Sequence, residues 1–394
     1  MIKNSTELKL IKLAGLANAG TYVAMPFLAV YLLDEVRLAP WQTGTIVTVL
    51  LLAGRLVPIL TGMFGDRYGH KLNVTLGIVV RGLGFILLGT TNQFSELVIA
   101  GILIGLGGAF YSPSISTLLS QSETRNRSFV WLNFALNAGT VAGPLVGVWL
   151  SGVFVRLPFV CGGIGMIGLG LLTTVWLRGQ REPRLKPRPV PKGLLHAVSS
   201  WQFLIFNFAM VLFWIDFAQL TVYIPLRAFQ VAGSQSLVGT VNITNGVIGM
   251  LAGVAFKRVY ERRSPNLLIA LGFVPLGVSF LLIPLSSTVW WLLVCVLWFT
   301  LGETLVLPSS NLVIANFAQV GESGMYFGIS RLSWAAGGAI GNFIGVIEAK
   351  HANPLLPCAI YASVAFLGFI AFMYLHVRGD RIKRTPPQQS LQGG

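Results

Sequence analysis

Charge is scarce in this chain: Asp, Glu, Lys and Arg make up 10% of its 394 residues, and only 13 residues are acidic. With 54% hydrophobic positions and a mean hydropathy of +0.73, there is too little polar side chain to cover an ordinary water-exposed surface. Histidine is rarer still, at four residues, and none is paired with another at metal-ligand spacing, which argues against a metalloenzyme. Cys161, Cys295 and Cys358 are odd in number and fall in apolar runs, so they read as small packing residues and give no disulfide framework.

What the chain has in abundance is long apolar runs. About 20 residues cross a bilayer, and twelve runs of that length occur, numbered here as spans 1 to 12: 8–33, 41–63, 72–91, 97–119, 128–154, 158–177, 201–226, 237–256, 267–285, 289–314, 324–347 and 355–375. Lys3, Lys9 and Lys12 ahead of Ala17-Asn18-Ala19 resemble a signal peptide, but the apolar stretch before Ala19 is too short for one. The formal net charge of +15 raises nucleic acid as a partner, and the placement of the basic residues answers it. With the N-terminus inside, 21 of the 28 Lys and Arg fall on the cytoplasmic side. Arg37, Arg156, Arg227 and Lys350 lie opposite, and Arg55, Arg81 and Arg331 lie within spans. That is the positive-inside pattern of a multi-pass protein with both termini cytoplasmic, and it leaves no room for a basic groove.

The chain also repeats itself. A shift of 195 positions lays Gly44-Thr45 on Gly239-Thr240, Arg67 on Arg262, Gly77 on Gly272, Phe85 on Phe280, Gly107 on Gly302 and Pro113-Ser114 on Pro308-Ser309. A shift of 198 lays Gly139, Gly143 and Gly147 on Gly337, Gly341 and Gly345. Two related six-helix bundles follow, over 1–177 and 201–376, joined by a Pro-rich basic linker at 178–200 that lies against anionic headgroups and followed by a cytoplasmic tail at 377–394. The fold class expected is an all-α membrane protein.

Between spans 2 and 3 stands Gly62-Met63-Phe64-Gly65-Asp66-Arg67-Tyr68-Gly69-His70-Lys71. This loop resembles the signature of the major facilitator superfamily. The resemblance implies the twelve-helix major facilitator fold, and a latch in which Asp66 packs at the start of span 11, with Arg67 and Lys71 completing the network and Gly62 and Gly69 part of the motif. The second-half copy, Glu261-Arg262-Arg263-Ser264-Pro265, has Lys257 in the place of Gly62, so a weaker latch is expected there. In span 5, Gly139-Thr140-Val141-Ala142-Gly143-Pro144-Leu145-Val146-Gly147 is similar to a motif of the drug/proton antiporter branch, where it implies a hinge and a seal between the halves. This chain departs from that branch in having Val148 for a final glycine, Gly101 for an intramembrane arginine and Ile104 for a glutamine. Gly163-Ile164-Gly165-Met166-Ile167-Gly168 fits a dinucleotide-binding pattern, but it lies inside span 6 with no strand before it and reads as helix packing.

A charge in mid-membrane costs on the order of 3 kcal/mol, so intramembrane charges are functional candidates. Asp216 and Glu303 are the only acids within spans, and Arg55, Arg81 and Arg331 are the bases deep within them, Lys9 and Lys12 standing at the cytoplasmic edge of span 1. The superfamily resemblance places spans 1, 4, 7 and 10 around a central cavity. Asp216, Gln219 and Tyr223 fall at i, i+3 and i+7, and Asn311 continues the polar side of span 10. Asn18, Tyr22, Tyr111, Trp214 and Trp298 complete the expected lining. Asp216 and Glu303 are expected to couple protons to movement of a small amphipathic solute, and a structural ion pair of Glu303 with Arg331 is the alternative for that residue. The expected protein is a monomeric secondary transporter of the cell membrane that needs no cofactor or metal, with export favoured. Uptake symport and, in another class, a membrane-embedded acid/base enzyme are the competing readings.

Overall fold

A computed structural model describes residues 5–28, 31–177, 197–220, 222–232, 236–285, 288–318, 322–348 and 355–384. The expected linker lies almost wholly outside the described residues. Among those residues every regular element is a helix. In chain order these are α1 (Ser5–Ala24), α2 (Pro40–Leu56), α3 (Pro58–Tyr68), α4 (His70–Thr90), α5 (Phe94–Ser120), α6 (Arg125–Val153), α7 (Leu157–Trp176) and α8 (Trp201–Ala218). There follow α9 (Tyr223–Ala232), α10 (Ser236–Ala255), α11 (Lys257–Arg262), α12 (Pro265–Leu282), α13 (Val289–Phe317), α14 (Ser323–Glu348) and α15 (Leu355–Arg384).

Eight of these helices are long and apolar enough to cross a membrane, and α2 with α3 makes a ninth, bent by 44° where Pro58 withholds its backbone donor. Spans 1, 8 and 11 are helical as α1, α10 and α14, over 20, 20 and 26 residues. Span 7 departs from expectation: α8 stops at Ala218 and a new helix begins at Tyr223. The last helix also runs beyond its span, to Arg384. Ser264 and Thr288 cap α12 and α13, each accepting a hydrogen bond from the backbone amide three residues on, at 3.3 Å.

The internal repeat reappears as packing. A methyl group at Gly77 would lie 2.7 Å from the Gly107 carbonyl oxygen, and one at Gly272 would lie 2.9 Å from that of Gly302. So α4 closes on α5 through the same pair of glycines that closes α12 on α13. Helix association in lipid gains little from apolar burial and depends on such close backbone approach. Likewise Gly139 and Gly143 of α6 meet Gly15 and Ala19 of α1, and Gly337 and Gly341 of α14 meet Val211 and Ile215 of α8. The glycine face of α6 therefore packs within its own bundle, and Pro144 sits inside an unbroken helix.

The bundles meet through other surfaces, at the end that carries the basic loops. Pro58 of α3 touches Gly328 of α14, Phe129 faces Phe327 with ring centroids 6.2 Å apart, and Arg125 donates to Asn316 at 2.8 Å. Deeper in, Val141 and Asn137 of α6 lie against Gly246 and Gly249 of α10.

Candidate functional site

At the basic-loop end, Gly69 takes a φ of 107°, a left-handed value that glycine adopts without strain, and so turns the chain from α3 into α4. That turn brings His70 and Asn73 against Gly65, where any side chain would collide with both. Asn73 donates to the Thr61 carbonyl oxygen at 2.7 Å and to Ser114 at 3.1 Å. Held this way, Asp66 accepts hydrogen bonds from the backbone amides of Gly324 and Met325, each at 3.0 Å. Both amides belong to the first turn of α14, whose orphan donors and positive end favour a carboxylate. Gly62 faces the Gly324 backbone so closely that no Cβ fits between them.

The partner of Asp66 in its own loop is His70, whose Nε2 lies 3.0 Å from Oδ1. Arg67 instead turns outward and stacks over Tyr68 at 5.5 Å. Residues one apart on a helix point about 100° from each other, so Arg67 does not face Asp66. Lys71 lies in the first turn of α4. In the second half Glu261, the repeat counterpart of Asp66, reaches across to Arg127 at the start of α6 with 2.5 Å between Nε and Oε1. Both side chains are exposed, and solvent and salt weaken such pairs.

Arg127, chiefly through that hydrogen bond, holds the Glu261 carboxyl below its ordinary range. The pair is therefore intact above the ordinary carboxylate range and is lost as pH falls through the lowered value. Glu261→Gln is expected to lower the melting temperature less than Asp66→Asn does, and raising the salt concentration should remove the Glu261 effect first. A thermal unfolding series of both variants checks this.

The five charges expected within the membrane lie on α2, α4, α8, α13 and α14. Glu303 is 5% exposed and its Oε2 accepts from Asn245 at 2.6 Å, while Asn245 also donates to Thr300 at 3.0 Å. The alternative pairing with Arg331 is not formed, because Arg331 donates to Ser112 of α5, at 2.8 Å. Asp216 is fully buried, and neither of its carboxyl oxygens has a hydrogen-bond partner among the described residues. Arg55 lies over the Trp334 ring at 4.7 Å, and Arg81 over Tyr111 at 5.9 Å. Tyr22 of α1 packs against Gly143 of α6.

Several expected lining residues do other work. Asn18 ties α1 to α6 through the Leu136 carbonyl oxygen at 2.7 Å and Thr140 at 3.0 Å. Gln219 donates to the carbonyl oxygens of Ile215 and Gly341, each at 2.9 Å, inside the second bundle. Tyr223 packs toward α15, with Cys358 Sγ 3.6 Å from its hydroxyl and the Tyr361 ring 5.7 Å away. The break after Ala218 explains this, since helical spacing does not carry from Asp216 to Tyr223 across it. Trp214 stacks 5.6 Å from Trp334, Trp298 is 38% exposed, and Asn311 is half-buried two turns beyond Glu303.

Residues 13–342 match the Major Facilitator Superfamily. The chain belongs to that family. Among its relatives, the multidrug resistance protein MdtH of Salmonella arizonae is 26% identical over 384 residues, covering 94% of this chain and 92% of its own. That of Salmonella typhimurium is 27% identical over 376 residues, covering 93% and 92%. A crystal structure of the human organic anion transporter MFSD10 (TETRAN) shares the fold, with a TM-score of 0.78, 14% identity and coverage of 94% of this chain and 100% of that one. The chain is thus a multi-pass membrane protein of a transporter superfamily.

Sequence reasoning missed three groups within this major facilitator fold. His70 and Asn73 are 5% and 0% exposed in the Asp66 turn, although the histidine reads in sequence as peripheral. Asn245 is the polar partner of Glu303, and its place in span 8 was a usable signal. Glu7, at the start of α1, accepts from Ser122 at 2.5 Å and from Thr124 and Ser128 at 2.6 Å each, binding the α5–α6 turn to α1. Only its folded surroundings distinguish it from an ordinary terminal acid.

Proposed function

We propose that this protein exports a small amphipathic solute across the inner or plasma membrane in exchange for protons, by alternating access between its two bundles. Glu303 carries the reading: a buried carboxyl held by a neutral amide, with no arginine or lysine in ion-pair reach among the described residues. An uncompensated carboxylate in an apolar interior is costly. The side chain is then stable as the neutral acid while sealed and ionises when water reaches it, which is what a proton carrier must do. Asp216 is the second such group. The multidrug resistance proteins to which the chain is similar support the direction of transport. Contacts between the bundles at the basic-loop end support a state closed on that side, with Gly62, Asp66 and Gly69 forming the latch. Gly139, Gly143 and Pro144 would let α6 flex on α1 as the bundles rock.

Cells with and without the protein should differ in accumulation of labelled compounds. In a screen of drugs, siderophores, sugars and amino acids, at least one amphipathic drug is expected to accumulate less when the protein is present, and collapse of the pH gradient should remove the difference. Higher accumulation of the responding compound would reverse the direction.

Orientation is tested separately. The basic loops put 178–200 and both termini in the cytoplasm, so a cysteine placed at position 188 is expected to resist an impermeant thiol reagent in intact cells and to react after lysis. Labelling from outside would invert the topology.

A further inference from the structure

Three half-buried guanidinium groups stand among the helices without a carboxylate. The ion pairs His70–Asp66 and Arg127–Glu261 involve none of Arg55, Arg81 and Arg331. The Nε atoms of Arg55 and Arg81 are buried with no hydrogen-bond partner among the described residues. Arg331 has one neutral partner, Ser112.

These charges are also gathered together. Arg55 and Arg331 come from opposite bundles to the same indole, 4.7 Å and 5.5 Å from the Trp334 ring centroid. Tyr111 lies beneath Arg81 at 5.9 Å, and Arg331 donates to the next residue of α5, Ser112, one turn from Gly108. The internal repeat sharpens the point. Gly108 is the counterpart of Glu303 under the 195-residue shift, and the space beside Gly108 is filled by the Arg81 guanidinium. Where the second bundle presents a carboxyl, the first presents a positive charge. Like charges gathered in a low-dielectric interior repel one another and lack solvation, unless an anion joins them.

We propose that Arg55, Arg81 and Arg331 form a receptor for the anionic group of the transported solute. This deepens the transporter reading and rests on it. The solute class is an amphipathic organic acid: a carboxylate or sulfonate engages the guanidinium forks, and a flat apolar body lies against Trp334 and Tyr111. Because Arg55 and Arg331 belong to different bundles, the bound anion bridges the halves in the state described here and loses one of its contacts when they part.

The test is equilibrium binding to the full-length protein in lipid nanodiscs, with four probes on one ring system: 2-naphthoate, 2-naphthalenesulfonate, 2-naphthylmethanol and 2-naphthylmethylammonium. Both anions are expected to bind at least about tenfold more tightly than the alcohol or the cation. Inorganic phosphate, which lacks the apolar body, is expected not to displace them. Arg81→Gln and Arg55→Gln should each weaken naphthoate by about tenfold and leave the alcohol unchanged, with Arg→Lys recovering part of the loss. Equal affinity for anion and cation in the wild type would overturn the proposal without recourse to any variant. So would competition by phosphate as effective as by naphthoate, or unchanged naphthoate binding in folded Gln variants. Uptake into proteoliposomes separates the two readings: a transported cation with no naphthoate binding defeats the anion receptor alone, whereas naphthoate binding with no transport of any probe defeats the transporter reading.

Discussion

Glu303→Gln is expected to abolish transport driven by a pH gradient while leaving exchange of solute across the membrane measurable. The substitution keeps the shape of the side chain, and its carbonyl oxygen can still accept from Asn245, which donates to Glu303 at 2.6 Å. Insertion and packing should survive. What is lost is the ability to bind a proton on one side and release it on the other, which the gradient-driven half of the cycle requires and simple exchange does not. Asp216→Asn differs in cost. Both carboxyl oxygens of Asp216 lack partners among the described residues, so an amide there buries donors with nothing to satisfy them, at about 1–3 kcal/mol. That variant should lose thermal stability as well as coupling. Driven transport and exchange, measured in liposomes for the wild type and both variants, separate these effects. Unchanged pH dependence in both variants would remove the two acids from the coupling step.

How much of this was legible in the sequence depends on whether the information is local. The helical, membrane-spanning nature of the chain was legible, because apolar length and loop charge are properties of short segments. The repeat was legible too, and the glycine pairs Gly77–Gly107 and Gly272–Gly302 recur at equivalent contacts because the same backbone approach is needed twice. Asp66 stood out as the acid of a recognisable loop. Its partners are two backbone amides 258 and 259 residues away, and amides carry no sequence signature. Periodicity failed where the helix failed: Tyr223 shares a face with Asp216 only if the helix continues past its cap at Gln219, and it does not. Charge alone offers Arg331 as an alternative partner for Glu303, whereas α14 directs it to Ser112 and leaves the carboxyl to Asn245.

Gly62→Ala is expected to open the basic-loop end of the molecule. In the closed arrangement a Cβ at this position runs into the carbonyl group of Gly324, and backbone at the start of α14 cannot step aside as a flexible side chain could. The collision is reciprocal, since a Cβ at Gly324 would lie 2.5 Å from the Gly62 carbonyl oxygen and 3.0 Å from Asp66 Oδ1. Overpacking of this kind costs roughly 1–3 kcal/mol, and in the proposed alternating-access cycle the cost falls on the closed state, in which the two glycines meet. A differential of about 1.4 kcal/mol already shifts a two-state population tenfold. Asp66→Asn acts on the same equilibrium by a different route. It keeps one acceptor but loses the charge that favours the α14 terminus, at about 2 kcal/mol. In a background with Cys161, Cys295 and Cys358 replaced, a cysteine at Ser112 reports on access from that end. Its alkylation by an impermeant reagent added to inside-out vesicles should accelerate by about tenfold or more in Gly62→Ala, and by a comparable factor in Asp66→Asn, with net transport falling in both. Unchanged alkylation and unchanged transport in Gly62→Ala would remove the glycine contact from the gate. Acceleration in Asp66→Asn alone would assign closure to the carboxylate.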